Sequence, residues 1–183
     1  MKKTLFLLSL LTGSVSLANA QTASFGLKAG ASLTNFTGDG VGSSTKNLFG
    51  FHGGLFANFA INDAFSIQPE VLYSMKGNKS EGTVSGYTNT LTSRLHYIDV
   101  PVLARVNAGG LFFELGPQVG FLVAAKQKQE VSGGIGAGTF EQDVKSSVRT
   151  VDFGYAAGLG YQLSNGPGIG LRYNGGFIDT RNP

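Results

Sequence analysis

Residues 111–125 read LFFELGPQVGFLVAA, and the solvent that this stretch faces decides the architecture. Apolar residues dominate it, yet Glu114 and Gln118 sit inside and Pro117 stands in the middle. Split by alternate positions, one phase is Leu111, Phe113, Leu115, Pro117, Val119, Phe121, Val123, Ala125. The other is Phe112, Glu114, Gly116, Gln118, Gly120, Leu122, Ala124, Lys126. A period of two is the signature of a strand with two unlike faces, not of a helix.

The same alternation recurs in six further segments, near 25–34, 49–61, 65–76, 97–106, 151–163 and 169–177. In all seven, the apolar phase holds no Lys, Arg, Asp or Glu, while the other phase is mostly Gly, Ala, Ser, Gln and Asn with isolated charges. That second phase makes a poor soluble surface but suits the crowded interior of a small barrel. The first suits lipid, where a Lys or Arg at mid-bilayer costs ~2–4 kcal/mol. Aromatics gather near the segment ends: Phe25, Phe59, Phe65, Phe113 and Tyr161 toward one rim, Phe51, Tyr73, Tyr155 and Phe177 toward the other. Two such belts are the expected anchors at membrane interfaces. The alternative is a soluble lipocalin-like barrel, with the faces reversed.

The connections alternate in kind. Long polar loops are expected at 38–47, 77–94 and 127–149. Short turns are expected at Asn62-Asp63-Ala64, Asn107-Ala108-Gly109-Gly110 and Ser164-Asn165-Gly166, whose residues tolerate left-handed backbone. Long loops on one side and short periplasmic turns on the other are the outer-membrane pattern. The N-terminus agrees. Lys2 and Lys3, an apolar run from Leu5 to Leu11 and Ala18-Asn19-Ala20 predict a secretory signal over 1–20, with Ala18 and Ala20 at the cleavage site. The run is too short for the ~20 residues of a spanning helix. Residues 21–183 are then one barrel domain.

GLKAGASLTNF (26–36), GFHGGLFANFAINDAFSIQPEVLYSMKG (50–77), YIDVPVLARV (97–106), LGPQVGFLVAAK (115–126) and GLRYNGGF (170–177) together resemble the small outer-membrane β-barrel domains of the porin-family type, common in Bacteroidota. The resemblance covers the whole mature chain. It implies an all-β, antiparallel up-and-down barrel of eight strands in the outer membrane of a Gram-negative bacterium, with its N-terminus in the periplasm. It implies no cofactor and brings no catalytic residue with it. Seven strands are visible, whereas single-chain bacterial barrels close with an even number. Family members continue beyond a point like the RNP of 181–183 into a further strand ending in an aromatic residue, so a C-terminally truncated sequence is expected. Pro69, Pro101 and Pro117 remove ladder donors and lead to an expectation of bulges there.

The polar phase directs Lys28, Glu70, Lys76, Asp99, Arg105, Glu114, Lys126, Asp152 and Arg172 to the lumen, with Glu70, Asp99, Arg105 and Glu114 as the expected core of a network. An eight-stranded interior is only wide enough for side chains, so a plug of matched charges is expected, with a narrow pore or secretion component as the alternative. His52 and His96 lack metal-ligand spacing, and GGIGAGTF (133–140) lacks the P-loop lysine. No G-x-S-x-G elbow is present, so no enzyme is expected. The charge of +3 is too weak to argue for nucleic acid, and without cysteine neither disulfides nor thiolate sites are available. The expected partners are outer-membrane lipid, the barrel-assembly machinery during insertion, and a surface partner at loops 77–94 and 127–149.

Overall fold

The structure, a computed structural model, describes residues 5–20, 23–36, 45–84, 87–133 and 137–177. Nine strands occur there: β1 (Leu5–Ala20), β2 (Ala23–Phe36), β3 (Thr45–Ala60), β4 (Phe65–Val84), β5 (Tyr87–Ala108), β6 (Leu111–Ser132), β7 (Gly138–Asp143), β8 (Val151–Gln162) and β9 (Gly168–Gly176). Every pairing is antiparallel. Eight strands close into a ring in the order β1-β2-β3-β4-β5-β6-β8-β9 and back to β1, while β7 attaches to the far end of β6. The ring satisfies every strand edge, as a hydrocarbon solvent demands.

The eighth ring strand is β1. Leu5–Ala20, the segment with the pattern of a secretory signal, pairs with β2 on one side and β9 on the other. Ala18 and Ala20 lie within it.

Burial is inverted relative to a soluble protein. The inward phase holds Lys28, Glu70, Gln68, Lys76, Asp99, Glu114 and Arg172, all nearly inaccessible, whereas Phe25, Leu27, Leu55, Val71, Phe113, Leu115, Phe121 and Leu171 are exposed on the outside. A lipocalin-like barrel needs the opposite. Pairing extends the outer face into rows, for example Phe65–Val106–Phe113–Leu159–Leu171 across five strands. Phe59, Tyr161 and the exposed ends of these rows mark the turn-side belt. On the other rim Phe51 leans on Tyr73 (6.1 Å) and Tyr155 on Phe177 (5.3 Å).

Short turns lie where Asn and Gly stand. The Asn62 side-chain oxygen accepts from the Ala64 and Phe65 amides (3.0 and 2.8 Å). Gly109 and Gly110 turn β5 into β6 at φ 58° and 92°, a region costly for any residue with a Cβ.

Three expectations are corrected. The prolines do not bulge: the ladder lacks rungs beside Pro69, Pro101 and Pro117 but resumes in the same register. A strand residue donates to one neighbour only, so losing one N–H removes one rung. In the β5–β6 ladder the shift lies elsewhere, where His96 pairs with Ala124 but Tyr97 with Leu122, leaving Val123 as the extra residue; further shifts occur at Asn47–His52 of β3 and within β1. The Val123 shift reverses the phase of β6, so that Ala125 is fully buried and Lys126 lies outside. Finally, most of the expected loops 77–94 and 127–149 is strand. β4 and β5 stay paired to Val84–Tyr87, so Gly77–Val84 project roughly 27 Å at ~3.4 Å per residue. Thr83, Thr88, Thr90 and Thr92, with Val84 and Tyr87, favour a pleated sheet over a loop in that hairpin. Most of the expected loop 38–47, residues 134–136 of the glycine-rich stretch and the RNP of 181–183 lie outside the described residues.

Because the chain has no cysteine, single replacements report the bulge cleanly. In the folded barrel a membrane-impermeant maleimide is expected to label K126C rapidly and A125C hardly at all. Strict alternation through Val123 requires the reverse.

Candidate functional site

The lumen carries the chemistry. Among the described residues its buried charges are Lys28, Lys76, Arg105 and Arg172 against Glu70, Asp99, Glu114 and Asp152, four cations and four anions. The interior is therefore neutral overall, as burial of ions requires. Lys126, expected among them, is a correction: the Val123 bulge turns it outward, where it pairs with Glu141 of β7 at 2.9 Å.

At the centre stand Lys28, Glu70, Glu114 and Arg172. Arg172 donates through Nη1 and Nη2 to both oxygens of Glu70 (2.6 and 2.8 Å) and through Nε to Glu114 (2.6 Å). Lys28 donates to Glu70 at 2.7 Å and stands 3.8 Å from Glu114. β9 and β4 are half-way round the ring from each other, and so are β2 and β6. Arg172–Glu70 and Lys28–Glu114 therefore cross the barrel along two diameters. Gln68 also donates to Glu70 (2.8 Å), so the Glu70 carboxylate is bound by three side chains.

The expected core of Glu70, Asp99, Arg105 and Glu114 is thus only half of the observed one. Arg105 and Glu114 face each other across β5 and β6, yet they form no ion pair within 4 Å. Glu114 instead reaches over Gly158 to Arg172. A Cβ at Gly158 would stand 2.7 Å from the Glu114 carboxylate, so only glycine leaves the way open. Asp99 belongs to a second layer nearer the long hairpins. There Lys76 donates to it at 2.8 Å and sits over the Tyr97 ring at 4.6 Å. Asp152 pairs in register with Gly120, as does Asp99 on the other side, which gives that layer two acids to one lysine. Arg105 lies at the opposite end, toward the short turns.

Sequence reasoning did not single out the neutral lumen residues. Gln68 is almost fully buried between charges, and it shares the phase of Glu70, which was the available signal. Thr34 both donates to the Gly77 carbonyl (2.6 Å) and accepts from the Gly77 amide (2.9 Å), where β3–β4 pairing is interrupted. His52 is buried in the lumen with Nε2 unpartnered, and His96 lies on the outer face, bonded to the Tyr73 hydroxyl (2.6 Å). Among the described residues no three His, Cys, Asp or Glu side chains converge on a possible metal position.

A closed antiparallel ring, apolar outside and filled with paired charge inside, defines an outer-membrane β-barrel. The chain belongs to the outer membrane protein beta-barrel domain family, whose profile matches residues 19–182. No curated protein matches the sequence. Similar solved structures include the translocator domain of the autotransporter NalP from Neisseria meningitidis, at 11% identity and TM-score 0.42 over 97% of this chain and 88% of that one. Ail, the attachment invasion locus protein of Yersinia pestis, in complex with the heparin analogue sucrose octasulfate, is similar at 14% identity and TM-score 0.31, over 97% and 99%. LpxR from Salmonella typhimurium follows at 8% and 0.29, over 96% and 100%. At such scores these likenesses add nothing to the family match.

Two measurements test the electrostatics. Glu70→Gln leaves Arg172 and Lys28 short of a counter-charge and is expected to cost about 3–5 kcal/mol in urea unfolding of the micelle-embedded barrel. Replacing Arg172 by Gln as well is expected to recover part of that loss. Outside the membrane, hydrogen bonds from Lys46 and Lys79 hold Glu81 down to about 2 from its ordinary 4.5. A lowered carboxylate stabilises the hairpin above pH ~4.5 and loses that effect as pH falls through about 2. A carboxyl ¹³C titration is expected to find this low midpoint and to see it rise in high salt, since the pairs are exposed.

Proposed function

We propose that this chain is a non-enzymatic barrel of the outer membrane that presents its tall hairpins to a partner and conducts no solute. The observation that carries this reading is the pair of diametric ion pairs, which puts bonded side chains across the barrel axis. A solute passing along the axis has to break Arg172 from Glu70 and Glu114, which leaves buried ions unpaired.

The hairpins support the surface role. β4–β5 and β6–β7 stand beyond the belt of Phe51, Tyr73 and Phe177, with Tyr87 and Phe140 exposed upon them. Rigid strands position such side chains better than free loops do. On this reading residues 1–20 direct export, the short turns lie in the periplasm, and the barrel-assembly machinery inserts the chain. With β1 in the ring Leu5 pairs with Phe36 at the long-hairpin end, so the expected periplasmic N-terminus belongs to a chain cut after Ala20.

Epitope insertions test the orientation and the role together. A tag between Val84 and Tyr87 is expected to bind antibody on intact cells, and a tag at Ser164–Asn165 only after the outer membrane is opened. Planar bilayers holding the purified barrel are expected to show no discrete conductance steps. Stable unitary currents of the native barrel favour the narrow pore instead.

A further inference from the structure

At the turn end of the lumen a cavity of about 370 Å³ opens beneath the charge layers. Among its lining residues are Asn58, Gln68, Arg105, Asn107, Gln162 and Asn165; Arg105 is the one charge and no acid is present. The Arg105 side chain is 93% buried by the residue's 7% exposure. Its Nε donates to Asn107 Oδ1 (3.0 Å), Nη1 to Gln68 Oε1 (3.1 Å) and Nη2 to Gln162 Oε1 (3.1 Å), all neutral acceptors. The guanidinium lies against the Phe112 ring at 3.8 Å.

Charge accounting isolates this group. Lys28 and Arg172 are matched by Glu70 and Glu114, and Lys76 by Asp99. The remaining acid, Asp152, is in the far layer beside Gly120. Arg105 is thus a buried cation with no carboxylate within 4 Å among the described residues. A guanidinium has five N–H donors, and the amide contacts use three of them. The geometry points to a binding site for a compact oxyanion, a carboxylate or a phosphate monoester, seated on the two free Arg105 N–H groups. Carboxylate and phosphate are the shapes that a guanidinium fork recognises. The Asn107 side-chain NH₂, whose oxygen is occupied by Arg105, supplies a further donor. Asn58 and Phe56 of β3 also line the cavity, as does the 163–166 turn. The site accounts for the buried cation of the described lumen that has no carboxylate partner.

The test follows the Arg105 Nε–H and Asn107 side-chain resonances of the ¹⁵N-labelled barrel in micelles, during titration with acetate, phosphate or, at equal ionic strength, chloride. Saturable shifts with acetate or phosphate and not with chloride are expected, and the ion that binds more tightly identifies the ligand class. Arg105→Gln is expected to weaken binding by about tenfold or more, the worth of charged hydrogen bonds. Asn165→Asp, on the exposed turn, places a competing negative charge at the opening and is expected to weaken binding several-fold without touching the fold. No saturable shift in the native barrel, or undiminished Asn107 shifts in Arg105→Gln, overturns the site. If Arg105→Gln does not fold, affinity unchanged in Asn165→Asp overturns it.

Discussion

Two ion pairs that cross at the barrel axis hold the interior together. Arg172 reaches Glu70 from the opposite wall, and Lys28 faces Glu114 along the other diameter. Each ion costs several kcal/mol to remove from water, and only its partners offset that cost. The arrangement tolerates no half-measures. Each carboxylate touches two cations and each cation two carboxylates, so one deletion leaves two buried partners short of a counter-charge. The glycine at 158 follows from the same requirement, since the Glu114 carboxylate needs the space that a side chain there would fill.

Outside, the constraint is the reverse one. No outward position in the rows from Phe65 to Leu171 brings a charge toward lipid, and the hydrogen-bonded ring leaves no open edge. Beyond the aromatic belt the sheet changes character. The β4–β5 hairpin continues with threonine, serine and asparagine, and its exposed ion pairs Lys46–Glu81 and Lys79–Glu81 are of the kind worth little in water. Its persistence rests on backbone pairing carried up from the membrane section.

The two faces of the wall were legible in the sequence because a period of two survives any detail of tilt or packing. That logic assigns Glu70, Asp99, Arg105, Glu114 and Arg172 to one phase, and all five are buried. It failed at Lys126, because one inserted residue, Val123, reverses the count and nothing in LVAAK marks the bulge. It also missed the length of the hairpins, since polar strands that meet only water look like loops when judged by hydrophobicity. The partners across the lumen were beyond reach for another reason. Strands adjacent in sequence suggested a network of Glu70, Asp99, Arg105 and Glu114, whereas long side chains in a narrow barrel find their partners across the diameter.

The position of β1 has a topological consequence. Leu5–Ala20 serve as the stave that closes the ring, with both of their backbone edges committed to β2 and β9. The same residues carry the marks of a detachable export leader, ending in Ala18-Asn19-Ala20. A cut after Ala20 would withdraw the stave and strip β2 and β9 of their partners together. In this arrangement leader removal and ring closure exclude one another unless a different strand takes the vacated berth. The β2–β9 seam is therefore the joint of the wall whose occupant such a cut would change.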